Sequence, residues 1–139
     1  MSMTNGCVFI DTAFVQAVLN RRDQYHNKAT ALLNRVRDAS EVWITEAVLI
    51  EIGNALASMN RKAAVEFIRS CYVTPNMRVA EVDADLFKRG LDFYSNRPDK
   101  EWGLTDCISI LVMQDHGITE AFTSDEHFKQ AGLRALLIE

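Results

Sequence analysis

Cysteine, proline and glycine are scarce in this chain of 139 residues, which contains three, two and six of them, respectively. The cysteines are odd in number and widely spaced, and no CxxC pair forms a zinc or redox motif. Cys7, Cys71 and Cys107 lie in apolar surroundings, so we interpret them as small buried side chains in a reducing compartment. No proline- or glycine-rich linker divides the sequence, which predicts one domain over residues 1–139.

The chain also lacks a long apolar run and an excess of basic residues. Its apolar runs are far shorter than a membrane-spanning helix, and Met1–Gly6 has neither the basic nor the apolar part of a signal peptide. We therefore expect a cytoplasmic, soluble protein without a membrane partner. The net charge of −4 argues against nucleic-acid binding through overall charge, although a metal ion or a local basic patch can reverse the field at a site.

Short apolar segments alternate with longer segments in which apolar residues recur every three to four positions. The pattern predicts strands at 7–10, 42–44, 77–82, 121–123 and 134–138. It predicts helices at 13–20, 24–36, 45–59, 61–70, 83–94, 105–115 and 126–130. Apolar strands that alternate with helices are typical of a mostly parallel sheet covered on both faces. We therefore predict an α/β fold, a three-layer α/β/α sandwich whose sheet is centred on the strand at 7–10.

Four acidic residues adjoin these apolar elements: Asp11, Glu51, Asp106 and Asp125. A carboxylate beside a core is costly to desolvate without a partner, yet no Lys or Arg lies within three residues of Asp11 or Glu51. Asp11 and Asp125 follow predicted strands, and the carboxyl ends of parallel strands form the edge at which ligands bind. A divalent cation with oxygen ligands can partner all four acids at once.

Each acid also has a simpler structural interpretation. Asp11 and Asp125 can cap the helices that follow them, and Asp106 can complement the positive N-terminal end of a helix. Glu51 lies at the margin of an apolar stripe, where a side chain can face solvent. These alternatives stay open for each residue alone, whereas the coincidence of four acids at one edge favours a shared site.

Hydroxyl and imidazole side chains are weaker candidates. Three auxiliary hydroxyls lie next to the acids or one helical turn away and can bind carboxylates or metal-bound water: Thr12, Ser109 and Ser124. Thr12 and Ser124 can equally cap helices. His26 is expected to be structural and His127 to lie on the surface.

The ordered set of motifs resembles the PIN-domain ribonucleases, particularly the VapC-like toxins of prokaryotic toxin–antitoxin pairs. The resemblance covers nearly the whole chain and is carried by Val8–Thr12, by Asp23 with His26 and Ala29, by Thr45–Glu51, by Trp102–Cys107, and by Thr123–Asp125 with Phe128. Gly103 departs from the pattern, because related chains often have Ser there. The fourth acid is also the most variable one in the family, which bears on Asp125.

The resemblance implies a Mg²⁺- or Mn²⁺-dependent endoribonuclease that cleaves single-stranded or looped RNA. Its catalytic and metal-binding residues would be Asp11, Glu51, Asp106 and Asp125. The chemistry agrees, because carboxylate-bound metal can activate water, orient the phosphodiester and neutralise its charge. The resemblance also implies a homodimer that binds a small antitoxin. One candidate contact surface is the first helix, with Phe14, Val15, Val18 and Leu19, for which internal packing is an open alternative.

Two other protein classes fit less well, and one alternative stays open. A receiver domain needs an acidic doublet after its first strand and a Lys after a late strand, which Asp11-Thr12 and Ser124-Asp125 do not provide. A haloacid-type phosphatase needs a second Asp two residues after the first, and that position is Ala13. A catalytically inactive PIN-like interaction module is the remaining alternative.

Overall fold

A computed structural model describes residues 6–139, so most of the segment for which we predict no signal peptide lies outside the described residues. Within that range the strands are β1 (Cys7–Ile10), β2 (Glu41–Thr45), β3 (Met77–Ala80), β4 (Glu120–Phe122) and β5 (Arg134–Ala135). The helices are α1 (Thr12–Leu19), α2 (His26–Ala31), α3 (Leu33–Asp38), α4 (Glu46–Ala55), α5 (Arg61–Cys71), α6 (Ala84–Ser95), α7 (Leu104–Asp115) and α8 (Glu126–Gln130). A short 3-10 helix follows at Leu136–Ile138. None of the helices in the described range is long and apolar enough to cross a lipid bilayer.

The five strands form one parallel sheet in the order β3-β2-β1-β4-β5. On one side of β1, Phe9 lies opposite Trp43 of β2, and on the other side Ile10 lies opposite Phe122 of β4. The chain builds the sheet outwards from β1 in one direction and then returns to add β4 and β5 on the other side. The predicted α/β/α architecture with a central first strand is confirmed, and the order reverses between β1 and β4.

The central position of β1 follows from its apolar residues. Val8, Phe9 and Ile10 are at most 3% exposed, as expected for a strand covered on both faces of a sheet. The Phe9 ring packs against Phe128 of α8, with 6.4 Å between the ring centroids. Each fully buried side chain of this size stabilises the fold by roughly 1.5–3 kcal/mol. Packing from both sides therefore fixes the end of β1 and, with it, the position of Asp11.

Two predicted helix starts and one predicted helix end are confirmed in atomic detail. Thr45 Oγ1 accepts a hydrogen bond from Val48 N at 3.1 Å, and Asp83 Oδ1 accepts one from Leu86 N at 2.8 Å. Each bond satisfies an amide that would otherwise lack a partner in the first turn. Gly117, with φ of +64°, follows α7 in a left-handed conformation that glycine adopts without strain.

Four elements are shorter than the sequence predicts or are divided. The helix predicted at 45–59 ends at Ala55, and the strand predicted at 77–82 ends at Ala80. The helix predicted at 24–36 is divided into α2 and α3 at Leu32, whose amide approaches the carbonyl oxygens of both Lys28 and Ala29. Such a shared bond is typical of a tightened turn at the end of a helix. The strand predicted at 134–138 has only two residues, because its neighbour β4 is itself short. Beyond it, Leu137 N donates to the Thr123 carbonyl, and the chain turns into the 3-10 helix.

The exposure of the apolar helix faces distinguishes α1, for which internal packing was an open alternative, from α6. On α1, Phe14 and Val15 are only 3% exposed, so that helix packs mainly inside the molecule. On α6 the expected core face is largely open, since Phe87 and Leu91 are 44% and 45% exposed. The unpartnered apolar surface of the described residues therefore lies on α6 and its neighbours rather than on α1.

Candidate active site

Asp11 is the most buried of the four candidate acids. It stands immediately after β1, is 5% exposed, and forms no side-chain cap at the start of α1. Its Oδ2 instead accepts a hydrogen bond of 2.8 Å from Thr123 Oγ1. Burial raises the pKa of Asp11 from 3.8 to about 7, and the charges of Asp106 and Glu51 add to the rise. A capping role therefore does not account for this residue, which lies within electrostatic reach of two other candidates.

Glu51 is linked to the same region through the residue that follows Asp11. Its Oε1 accepts a hydrogen bond of 2.6 Å from Thr12 Oγ1, and its side chain is half-buried. Thr12 opens α1 whereas Glu51 lies in the middle of α4, so packing of α1 on α4 brings the two together. Glu51 thus does not simply face open solvent.

Asp106 and Asp125 have structural roles in addition to their position near the other acids. Asp106 Oδ2 accepts from Gly103 N at 3.1 Å at the start of α7, and Asp125 Oδ1 accepts from His127 N at 2.9 Å at the start of α8. Asp125 therefore caps a helix and Asp106 binds a backbone amide at a helix N-terminus, in agreement with the simpler interpretations of these two residues. A carboxylate offers about four acceptor positions, so one backbone contact leaves capacity for a ligand. Burial raises the pKa of Asp106, and the charge of Asp125 contributes to the rise.

The His127 imidazole contacts both of these acids, although the sequence predicts that His127 lies on the surface. Its Nδ1 lies 2.9 Å from Asp106 Oδ2 and 3.1 Å from Asp125 Oδ1, and its side chain is only 26% exposed. Burial by itself lowers the pKa of His127, but the hydrogen bond to Asp106 and the charges of Asp125 and Asp106 together raise it. The feature of the sequence that could have identified His127 is its position two residues after Asp125, in the first turn of the helix that Asp125 caps.

Thr123 is the second residue that sequence reasoning missed. Its fully buried hydroxyl donates to Asp11 Oδ2 and accepts from Asp125 N at 3.0 Å, which joins the first and fourth acids. Among the predicted auxiliary hydroxyls, Thr12 contacts Glu51, whereas Ser124 is only half-buried. Ser109 lies one turn after Asp106, and its buried Oγ has no hydrogen-bond partner among the described residues.

The side chains in this region fit a divalent cation. Asp106, Asp125 and His127 each offer a ligand atom, and these atoms all lie within 4.8 Å of one another. Asp11 and Glu51 lie outside that group of three. Asp11 is connected to it through the charge of Asp106 and through Thr123, whereas Glu51 is connected to Asp11 through charge and to Thr12 through a hydrogen bond. Within residues 6–139, no Lys or Arg forms an ion pair with any of the four acids. A cluster of hard oxygen donors without a Lys or Arg partner is an environment that such ions bind.

Comparisons with known proteins concern the family and the fold of this chain. The PIN domain model matches residues 8–133. The chain is 27% identical over 128 residues to the "23S rRNA-specific endonuclease VapC20" of two Mycobacterium tuberculosis strains. The aligned region covers 90% of this chain and 94% of that protein.

Solved structures show the same similarity in three dimensions. The crystal structure of Mycobacterium tuberculosis VapC20, described as a Sarcin-Ricin loop cleaving toxin, matches with a TM-score of 0.80 and 26% identity. The match covers 91% of this chain and 95% of that chain. VapBC2 from Rickettsia felis, solved with a promoter DNA fragment, matches with a TM-score of 0.63 over 93% of this chain and 96% of its own. At 11% identity, that second likeness concerns the fold alone.

Proposed function

Because the chain belongs to the PIN domain family, we propose that it is a divalent-metal-dependent endoribonuclease and the toxin of a toxin–antitoxin pair. The observation that carries the proposal is the buried, connected acidic site. The charges of Glu51 and Asp106 contribute to the raised pKa of Asp11. Within the described residues, no Lys or Arg pairs with these acids. The proposed catalytic and metal-binding residues are Asp11, Glu51, Asp106 and Asp125.

In this proposal the four carboxylates hold Mg²⁺ or Mn²⁺. When bound, such an ion activates water for attack and neutralises charge on the scissile phosphate. The hydroxyls of Thr123 and Thr12 orient Asp11 and Glu51 through bonds of 2.8 Å and 2.6 Å. Supporting contacts of this kind affect metal affinity and activity although they do not touch the ion. Without a cation, the acids repel each other and the phosphates of RNA.

The proposed substrate is RNA in a single-stranded or looped region. Unstacked backbone can enter a narrow acidic crevice, whereas a continuous A-form duplex presents a stiff, regular surface. The relative VapC20 is described as a Sarcin-Ricin loop cleaving toxin, so a loop of ribosomal RNA is the first substrate to test. The proposed place of action is the cytoplasm, where ribosomal RNA is available.

The decisive experiment measures cleavage of a sarcin–ricin hairpin and of a matched uninterrupted duplex, with Mg²⁺, with Mn²⁺ and with EDTA. We expect metal-dependent cleavage of the hairpin that EDTA abolishes, and a loss of at least about 10²-fold in rate for Asp106→Asn. Asp92→Asn is the matched control, because Asp92 is an exposed acid on α6. Undiminished cleavage in EDTA, or full activity of Asp106→Asn, would overturn the mechanism. Absence of cleavage by a protein that still binds metal would favour the inactive interaction module.

We also propose that two copies of the chain associate through an apolar face, defined here as Ile50, Phe87, Leu91 and Tyr94. These side chains are 44–64% exposed, and Phe87, Leu91 and Tyr94 recur along one side of α6. Ile50 of α4 and Phe87 line one open cavity of about 770 Å³, so the face is continuous between the two helices. Exposed apolar surface that extends over two elements is typical of a protein interface.

The remaining proposed partner is a small antitoxin protein. A ribonuclease that acts on cellular RNA must be restrained in the cell that makes it, and the relative VapC20 is described as a toxin. A Lys or Arg from the partner can compete with metal for the same carboxylates. Co-expression with the product of an adjacent small gene should relieve growth arrest and yield a co-purified complex. Unimpaired growth on expression of the chain alone would count against a toxic role.

A further inference from the structure

His127 occupies the only described position at which an imidazole nitrogen meets two of the proposed metal-binding acids. Its Nδ1 stands 2.9 Å from Oδ2 of Asp106 in α7 and 3.1 Å from Oδ1 of Asp125, which precedes α8. In an octahedral ion with bonds of about 2.1 Å, neighbouring ligand atoms lie about 3.0 Å apart. Both nitrogen–oxygen separations therefore match that of adjacent ligands around one ion, and all three residues offer ligand atoms within 4.8 Å of one another.

The imidazole is not required to orient either acid. Asp106 Oδ2 is held by Gly103 N, and Asp125 Oδ1 is held by the backbone amide of His127 itself. The backbone of His127 is positioned in turn by the first turn of α8, which the fully buried Phe128 anchors in the core. Backbone contacts of the two acids and the packing of α8 thus place a nitrogen donor beside two oxygen donors, in addition to the bonds among the three side chains.

We propose that His127 Nδ1 is a direct ligand of the divalent ion, and that the site consequently prefers a first-row transition ion such as Mn²⁺ over Mg²⁺. This inference rests on the proposed function, since it adds a ligand to the same site. Mg²⁺ is a hard ion that favours oxygen ligands, whereas imidazole nitrogen binds transition ions well. A site with three or four carboxylates and one imidazole therefore discriminates between the two ions in a way that carboxylates alone do not.

The first measurement compares Mn²⁺ and Mg²⁺ affinities by calorimetry on the chelator-treated full-length protein. We expect Mn²⁺ to bind the wild-type protein at least about 10-fold more tightly than Mg²⁺. His127→Ala should weaken Mn²⁺ binding about 10–100-fold and Mg²⁺ binding much less. His116→Ala is the matched control, because His116 stacks on Trp43, with 3.9 Å between the ring centroids, away from the acids. Equal losses for both ions in His127→Ala would contradict the proposal.

The second measurement detects the ligand atom itself and does not depend on a variant that folds. Pulsed electron paramagnetic resonance of the Mn²⁺-loaded wild-type protein should show nitrogen modulation that changes on labelling with ¹⁵N-histidine. The same signal should persist in His116→Ala and disappear in His127→Ala. Bound Mn²⁺ without nitrogen modulation would refute His127 as a ligand and leave the proposed nuclease intact. Failure of the wild-type protein to bind either ion would refute the metal-dependent function as well.

Discussion

At the scale of single residues, Asp11 combines two properties that conflict in the absence of metal. It is 5% exposed, and it shares its surroundings with the charges of Asp106 and Glu51. Both burial and like charge favour the protonated carboxyl group, which is why its pKa rises to about 7. The proposed metal-binding residue is therefore also a source of instability whenever metal is absent.

This conflict predicts how the stability of the metal-free protein depends on pH. Between the unfolded pKa of 3.8 and the folded value of about 7, the folded protein keeps a proton on Asp11 that the unfolded chain releases. The free energy of unfolding therefore falls as the pH rises through this window, by up to a few kcal/mol. The raised pKa values of Asp106 and His127 act in the same direction, since each group also holds its proton more strongly in the folded state.

Urea unfolding in EDTA at pH 5 and at pH 8 tests this expectation. Wild-type protein should be more stable at pH 5, and Asp11→Asn should be less sensitive to pH and more stable than wild type at pH 8. Asp92→Asn should follow the wild-type profile, because Asp92 is exposed on α6. Greater wild-type stability at pH 8 than at pH 5 would show that Asp11 is not destabilised by its burial.

Ser109 gives a second prediction at this scale. Its Oγ is buried and has no partner among the described residues, so it bears the cost of desolvation without a compensating hydrogen bond. Ser109→Ala should therefore raise the free energy of unfolding by about 1 kcal/mol in metal-free protein. If RNA cleavage is unchanged in this variant, Ser109 has no auxiliary role. A loss of activity together with higher stability would support that role.

The residues that could be found from sequence are those whose type conflicts with their local surroundings. Asp11 and Glu51 are acids within apolar segments without a nearby basic residue, and this conflict is visible without a structure. Thr123 and His127 have no such local signal. Thr123 meets Asp11 across 112 positions of sequence, and His127 meets Asp106 across 21, so their roles arise only from the packing of distant segments.

At the scale of helices and strands, the periodicity of apolar residues predicted where the elements lie better than it predicted which of their faces are covered. The strand at 7–10 and the helix at 126–130 have the predicted bounds, because their apolar and capping residues are local signals. The exposure of Phe87 and Leu91 was not predictable in the same way. An apolar helix face indicates that it is buried in a contact, but not whether that contact is with the same chain or with another one.

The contact between α6 and α7 gives a prediction at this scale, because two helical glycines differ in their surroundings. A Cβ atom at Gly90 would lie 2.6 Å from Ile108 Cγ1, whereas one at Gly53 of α4 would lie 4.0 Å from Ile68 Cδ1. Gly90→Ala should therefore destabilise the protein by about 1–3 kcal/mol through overpacking. Gly53→Ala should stabilise it by about 0.5–1 kcal/mol through higher helix propensity. Thermal unfolding of both variants measures the difference, and equal effects would contradict the tight approach of the two helices.

At the scale of the whole molecule, the topology brings the proposed site and the proposed dimer face close together. Glu51 lies next to Ile50 on α4, and Asp106 lies two residues after Leu104, which lines the same cavity as Ile50 and Phe87. The parallel sheet was predictable from the alternation of strands and helices. Whether α1 offers a contact surface or packs internally was left open by the sequence, because the buried positions of Phe14 and Val15 depend on neighbours that sequence does not reveal.

The proposed dimer can be tested by sedimentation at micromolar concentration. We expect the wild-type protein to sediment as a dimer and Leu91→Asp to sediment as a monomer, because a charge in the apolar face must be desolvated on association. Lys88→Asp is the matched control, since Lys88 is an exposed polar residue on the same helix. A wild-type monomer, or a dimer that Leu91→Asp leaves unchanged, would place the interface elsewhere or exclude it.

The position of β1 between β2 and β4 has a consequence for the time at which activity can arise during synthesis. The central strand precedes the other described strands, but its partner on one side, Glu120–Phe122, is translated only after β2, β3 and α7. The site draws on Asp11 and on Asp125, which are far apart in sequence, so a growing chain cannot assemble it before Asp125 emerges from the ribosome. For a ribonuclease whose proposed substrate is ribosomal RNA, prematurely terminated chains are then harmless to the ribosome that produces them.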